Sequence, residues 1–515
     1  MRVACVGGGP AGLFFALLMR RAGDHRVDVF ERSAPDATFG FGVVFSRLSL
    51  MRLRRVAPEV VAGILDAGAR WDNVEVRRGG ERVSASGHGF AAVERRAMLG
   101  MLQRQAAAAG AGLHYRTEAD PASLLDRYDV VVAADGAGSR SRGAFAEDLG
   151  ARVGAGESRY AWFASDRVFE DMTFLFADSP YGPVAAHAYP YAPDRCTFLV
   201  EMDARSWRRA GFTDGHTRPA DFTDERAMAF AREVFADQLG GGRLYGNGSR
   251  WLRFPQVSAA RWHHKNLVGI GDAVHTAHFS MGSGTTMALE DAAELVAALT
   301  AAGPLDVPAA LAAYEAVRRP VVTGVQDAAW ASRRLWETPE AHRGAPLGAL
   351  TLRLLTRAGQ LSVRQIQRLD RDFASGAGAS FTALPEAPVR RLAELAGALV
   401  EVGAGDGAEE LTARVKRLRR AEAGLLVPAP GVDTAAVRRV ADVVRRVARA
   451  APVDVVLAAP GPHGAAENRI AQMVLAEELH ATTGVRTGYA CPSRELEYGW
   501  THVQAGRADE VWTTD

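Results

Sequence analysis

Gly7, Gly9 and Gly12 stand in the spacing G-x-G-x-x-G between a short apolar run and a stretch with helical periodicity. The first glycine permits a tight turn, the second lets the backbone approach a pyrophosphate, and the third brings helix and strand together. Pro10 and Ala11 complete the turn. Glu31, followed by Arg32, ends the next apolar run nineteen residues after Gly12. A carboxylate placed there can accept hydrogen bonds from ribose hydroxyls. Motif and acid predict a dinucleotide site and leave FAD and NAD both open. Two more acids follow apolar runs: Asp135-Gly136, with Ser139 and Arg142, after VVVAA, and Gly271-Asp272-Ala273-Val274-His275 after LVGI. Asp272 could also simply cap a helix or brace a loop. Gly282-Ser283-Gly284-Thr285 precedes an amphipathic stretch containing Leu289 and Leu295, and reads either as a ligand-facing helix start or as a flexible loop.

Asp135-Gly136 resembles the DG motif of class A flavoprotein monooxygenases, and Gly271-Asp272 resembles their GD motif. Arg95 precedes Met98 and Leu102 at the spacing of that family's FAD-contacting arginine, with Arg96 as the neighbour should the register slip. The resemblance covers about Met1 to Arg371. It implies bound FAD, with Asp272 at the ribityl chain and the glycine-led helix stabilising negative charge on reduced flavin. Two departures stand out. The family's proline shortly after the GD-motif histidine is absent from His275-Thr276-Ala277-His278, and Thr286 occupies the place of a later asparagine.

HFSMGSGTT, GGGPAGLFFALLMRR and ERSAPDATFGFGVVFS, together with HAYPY and TFLVE, resemble a narrower branch, the hydroxylase portions of anthraniloyl-CoA and salicylyl-CoA 5-hydroxylases. That resemblance implies hydroxylation of an electron-rich ring at position 5 through a flavin C4a-hydroperoxide, so the cofactor supplies the difficult step. It implies an aromatic thioester and molecular oxygen as substrates, with a CoA or acyl carrier protein as the carrier. NADH or NADPH would be the transient reductant, because no second dinucleotide fingerprint offers it a permanent site. His278, His187, Tyr189 and Glu201 are candidates for positioning or proton transfer. His278 ranks first because its motif places it beside the flavin, and each also suits an ordinary packed or surface role. Hydroxylation of a free aromatic acid or an indole/tryptophan-derived compound is the neighbouring alternative. A flavin-binding scaffold without turnover is the alternative of another class.

These residues need a framework. Arg2–Val6, Ala11–Arg21 and Arg26–Phe30 read as strand, helix and strand, and Val130–Ala134 and Leu267–Ile270 as further parallel strands. AWFASDRVF, MTFLFA, VAAHAYPY and CTFLVEM alternate like an antiparallel sheet, and Gly284 to Ala302 reads as a long helix. The predicted fold class is α/β. A Rossmann-like FAD-binding domain (1–158 and 250–383, with trailing helices) carries an antiparallel β-sheet substrate domain (159–249), and a C-terminal α/β, partial TIM-barrel-like domain (384–515) follows.

In that last domain Leu425–Pro428, Val453–Ala458, Val485–Ala490 and Glu510–Thr513 read as strands. Thr434–Ala450, Ala466–Thr482 and Arg494–Ala505 read as helices, and short helices around Arg390–Val402 and Glu409–Ala421 as connectors. The segment from Gly431 resembles late β/α units of an old-yellow-enzyme-like reductase barrel. A full barrel needs at least about 200 residues, and too few remain, so a degenerate, non-catalytic remnant without FMN is expected. Gly403–Gly407 looks like the glycine turn of a methyltransferase but is read as a linker between short helices.

Composition agrees with a cytoplasmic protein that has no nucleic-acid partner and does not enter a membrane. The 515 residues carry 61 basic and 60 acidic side chains, with no basic stripe interleaved with aromatics. Three scattered cysteines give neither metal spacing nor a disulfide framework, so no metal is assigned.

Overall fold

The computed structural model describes residues 1–219, 221–303, 306–370, 373, 389–395, 398–403, 405–418, 424–451, 453–459, 465–480 and 486–515. They divide into two compact units, Met1–Val74 with His88–Gln326, and Glu75–Gly87 with Asp327–Asp515.

The first unit begins with β1 (Arg2–Val6), α1 (Pro10–Ala22) and β2 (Arg26–Glu31). Val3 to Val6 are all buried, as a central parallel strand with both faces covered requires. The chain then forms β3 (Gly42–Ser46), α2 (Arg47–Val56), β4 (Phe90–Glu94), α3 (Arg95–Ala108) and β5 (Val130–Ala133). β3 and β4 pair antiparallel, with Val43 opposite Val93. Four longer strands follow: β6 (Arg159–Ser165), β7 (Met172–Ser179), β8 (Gly182–Ala192) and β9 (Arg195–Met202). The chain returns through β10 (Leu267–Gly269) into α4 (Gly284–Ala302) and α5 (Val307–Glu337). The six-stranded sheet runs His263–His264, β10, β5, β1, β2 and Gly112–Tyr115. β1 pairs in parallel with both β2 and β5, so the glycine turn after β1 and Asp135 after β5 emerge at the same sheet edge.

Within a seven-stranded sheet these four long strands lie side by side and antiparallel in the order β6, β9, β8, β7. Their alternation sorts the side chains into two sets. Phe163, Leu175, Ala186, Phe198 and Val200 go to one face, where Trp207 and Met228 from flanking helices complete a hydrophobic core. Register pairs Tyr160 with Glu201, Ala185 with Glu201, His187 with Leu199, Phe174 with His187 and Tyr189 with Thr197, placing Tyr160, Phe174, His187, Tyr189 and Glu201 on the other.

In the second unit six strands, β11 (Val389–Arg391), β12 (Leu399–Glu401), β13 (Gly424–Pro428), β14 (Asp454–Ala458), β15 (Thr487–Cys491) and β16 (Glu510–Thr513), form one sheet. Every pairing is parallel, in the order β11, β16, β15, β14, β13, β12. Trailing helices belong to this unit: Arg353 meets Glu477, and Thr356 meets Arg507. The sequence boundary near residue 384 lies outside the described residues, and the compact units divide within α5.

Two expectations are corrected. In its described residues Arg390–Val402 is not a short helix but a strand ending at Arg391, a 3-10 turn at Leu392–Leu395 and a second strand at Leu399–Glu401. Its leucines fit helical spacing, yet pairing with β16 and β13 supplies backbone partners that a short helix lacks. Gly403–Gly407 accordingly joins strand β12 to a helix at Ala408–Arg417 rather than linking two helices, with residue 404 outside the description. The expected ends at Ala421, Thr482 and Val485 also lie outside the described residues.

Candidate active site

The turn after β1 fits a pyrophosphate. Gly7 has φ +112°, and a Cβ there would lie 2.3 Å from the Ala134 carbonyl oxygen. At Gly9 a Cβ would meet nothing within 4 Å, which leaves open space beside the helix start. No side chain caps α1, so its first-turn N–H groups have no side-chain partner, the usual setting for phosphate binding. Glu31 accepts the Gly8 N–H through Oε2 and the Ser33 N–H through Oε1, both at 2.8 Å, so the carboxylate is held at the end of β2. Arg32 beside it is exposed.

Asp135 braces its own loop. Ser139 donates to its Oδ1 at 2.5 Å and the Ser141 N–H to its Oδ2 at 2.9 Å. Arg142 then ties that loop to the GD turn, donating to the carbonyls of Ala137 at 2.7 Å and Ala273 at 3.0 Å. Gly136 and Gly271 take φ +76° and +58°, turns that suit glycine.

Asp272 has an exposed side chain yet sits deep enough among protein atoms that loss of solvent raises its carboxyl pKa, against the attraction of His275, Arg95 and Arg142. Desolvation lowers the Arg95 guanidinium, while Asp272 and Tyr189 hold it up. The neighbouring Arg96 is exposed and instead lines a cavity of about 630 Å³ with Pro35, Met101 and Arg104. At the start of α4, Ser283 Oγ and Thr286 Oγ1 are buried without a hydrogen-bond partner. Two orphaned hydroxyls beside Gly282, Gly284 and Thr285 need polar partners that the described residues do not provide. With the open space at Gly9, they fit a bound flavin dinucleotide.

Spacing alone missed the support beneath the GD turn. Asp291, fully buried on α4, accepts from the Gly271 N–H at 3.0 Å, pairs with His275 Nε2 at 2.5 Å, and takes Arg318 Nε on Oδ1 at 2.9 Å. Burial alone would raise its carboxyl pKa, but His275 and Arg318 hold it below the usual range. Trp262 lies against His275 at 4.8 Å between ring centroids. The one available clue was an aspartate on the otherwise apolar stripe of α4.

Three of the four proposed reacting residues come together. His187 Nε2 stands 3.3 Å from Glu201 Oε2, and His278 Nε2 stands 3.7 Å from Glu201 Oε1. The Ser158 hydroxyl donates to Glu201 Oε1 at 2.7 Å. All three side chains are buried, and rings surround them: Phe174 at 5.1 Å and Phe279 at 5.6 Å from His187, and Phe254 at 5.2 Å from His278. Tyr160 closes on Phe279 at 4.9 Å. Tyr189 shares the sheet face but takes another part: its hydroxyl donates to the Gly42 carbonyl at 2.9 Å, and desolvation pushes it up to about 12.

A Rossmann-type turn and loop acids therefore adjoin a sheet that holds an imidazole–carboxylate–imidazole group among aromatic rings, the layout of a flavin-dependent ring hydroxylase. The chain belongs to the class A flavoprotein aromatic monooxygenases. A family described as FAD binding domain matches residues 85–329. Salicyloyl-CoA 5-hydroxylase of a Streptomyces species is 42% identical over 383 residues, 72% of this chain and 73% of that protein. The 3-hydroxy-4-methyl-anthranilyl-[aryl-carrier protein] 5-monooxygenase of Streptosporangium sibiricum is 38% identical over 71% of this chain and 97% of its own. A crystal structure of 2-methyl-3-hydroxypyridine-5-carboxylic acid oxygenase shares the fold, with TM-score 0.53 and 19% identity over 71% of this chain and 97% of that one. Among the described residues no helix is long and apolar enough to cross a membrane.

Proposed function

We propose that this chain hydroxylates a salicylyl- or anthraniloyl-type ring, presented as a thioester, at position 5, consuming NADH or NADPH and molecular oxygen. The buried His187, Glu201 and His278 group carries the reading. Bound FAD supplies oxygen activation. The chain's own side chains seat the ring among Phe174, Phe254 and Phe279, exclude water, and take up a proton. With the thioester on ring carbon 1 and a hydroxyl or amine on carbon 2, carbon 5 lies para to that donor. Moving the donor's proton through His278 or His187 toward Glu201 raises electron density at carbon 5, where an electrophilic oxygen attacks. Charged and polar groups this deeply buried are costly unless they do such work or brace one another.

The two relatives' names support a thioester-borne ring and the 5-position. In this reading residues 159–249 form the substrate domain, and Asp272, Arg95, Glu31 and the glycine turns hold FAD. The C-terminal sheet is the remnant of a larger β/α barrel without its own chemistry, and the protein works in the cytoplasm. The test is substrate-stimulated NADH oxidation with product analysis across salicylyl-CoA, anthraniloyl-CoA, benzoyl-CoA and the unactivated acids. The donor-bearing thioesters should give 5-hydroxy products, and benzoyl-CoA should mostly release peroxide. Efficient hydroxylation of benzoyl-CoA would overturn the proton-withdrawal mechanism.

A further inference from the structure

The helix α2 carries a surface that flavin binding and ring seating leave unexplained. Its sequence, RLSLMRLRRV, holds Arg47, Arg52, Arg54 and Arg55, contains no acid, and buries only Leu53. Leu48 and Met51 are each 56% exposed and Val56 is 47% exposed. With Phe39, these are four of the ten large apolar side chains exposed among the described residues, all between positions 39 and 56. Such clustering marks a binding surface more often than scattered exposure does. Leu48, Met51, Arg52 and Arg55 follow the i, i+3, i+4, i+7 spacing of one helical stripe. Arg47 pairs with Asp72 at 3.0 Å and Arg52 with Glu290 at 3.3 Å, while no carboxylate among the described residues pairs with Arg54 or Arg55. Complementing the helix dipole explains arginines in a last turn. It does not explain Leu48 and Met51 in solvent beside them.

We propose that α2 binds the adenosine-phosphate end of a CoA thioester, an inference that rests on the thioester reading above. α2 continues directly from β3, and β3 touches both halves of the site. Gly42 donates its N–H to Thr197 Oγ1 at 3.1 Å and accepts the Tyr189 hydroxyl, and a Cβ on Gly282 would lie 2.7 Å from Val44. Four residue intervals make β3 about 13 Å long, shorter than an extended pantetheine arm. A ring against the substrate sheet and phosphates at α2 are therefore within reach of one molecule. Guanidinium forks suit phosphate oxygens, and Leu48 and Met51 offer an apolar rest for adenine. A compact, highly charged nucleotide end also matches a ten-residue helix better than a carrier protein, whose stable interface needs about 800 Å² on each side.

The experiment compares salicylyl-CoA, its 3′-dephospho analogue and salicylyl-N-acetylcysteamine on wild type, R54A/R55A, R54E/R55E and R54K/R55K, with FAD content as the check on folding. The alanine pair should raise KM for the CoA thioester about tenfold, and the glutamate pair further. The lysine pair should recover most of the loss, and kcat should stay within about twofold. Removal of the 3′-phosphate should mimic part of the effect, and KM for the N-acetylcysteamine thioester should not move. An unchanged KM for salicylyl-CoA, or an equal shift for the N-acetylcysteamine thioester, overturns the proposal. So does a shift confined to a thioester loaded on an acyl carrier protein. If wild type hydroxylates none of the thioesters, the functional reading itself fails, and this inference with it.

Discussion

Asp291 shows how one buried residue can brace the GD turn from the helix behind it. Its carboxylate takes the Gly271 N–H, His275 and Arg318, and Gly271, with φ +58°, makes the turn that leads into Asp272. Asp291→Asn would leave Arg318 and His275 facing a neutral amide. Breaking a buried charge network of this kind costs about 3–5 kcal/mol, and FAD retention should fall with it. The pH dependence has a definite sign. The folded-state carboxyl pKa lies below its ordinary value, so its stabilisation is complete above the usual carboxylate range and is lost as pH falls through the lowered pKa. Urea unfolding of wild type and variant should therefore differ most near neutrality and converge in acid. An equal gap at both extremes would contradict the electrostatic assignment. Glu31 stood out in the sequence by its spacing from Gly12 at the end of a strand, and Asp135 and Asp272 because each follows an apolar run beside a glycine. Asp291 was not, because a helical acid announces its partners only when Gly271 and Arg318 come together in space.

At the scale of elements, the antiparallel strands show why pattern succeeds in one place and fails in another. Alternation in MTFLFA, VAAHAYPY and CTFLVEM predicts the sheet and puts His187 and Tyr189 on one face. Alternation does not say that Glu201 sits across the sheet from Tyr160, nor that His278 arrives from a separate loop. The close approach of β3 to this sheet is likewise a tertiary fact. A Cβ at Gly42 would lie 2.8 Å from both Thr197 Oγ1 and Tyr191 Cβ. Gly42→Val should force the two apart and lose the Tyr189 hydrogen bond, at a cost of about 1–3 kcal/mol for overpacking. Since none of the flavin-turn residues is altered, FAD content should persist while KM for the aryl thioester rises. Loss of FAD with an unchanged KM would place β3 on the flavin side alone. The short helix expected at Arg390–Val402 failed for the opposite reason: brief segments take their structure from strand partners far along the chain.

For the whole molecule, the question is whether a chain with two sheets of parallel strands carries two flavins. In the second unit the sheet face bearing Val456, Ala490 and Trp512 is filled by side chains, with Leu392, Leu399 and Leu426 packed against them. Trp512 is fully buried, and a Cβ on Gly488 would lie 2.3 Å from its Nε1. That nitrogen donates to Glu510 at 2.9 Å, and Arg390 covers the ring at 4.2 Å. An indole anchored this way fills that sheet face, and among the described residues the sheet has six strands, where a closed barrel has eight. Acid-released flavin from the purified protein should therefore be FAD alone, one per chain, and excess NADH should yield no ring-reduced product. Trp512→Ala should destabilise the second unit by about 3–5 kcal/mol through the cavity it leaves while the FAD-to-protein ratio holds. Stoichiometric FMN in the wild type, or FMN uptake on opening that cavity together with a dihydro product, would show that the second sheet is a working reductase.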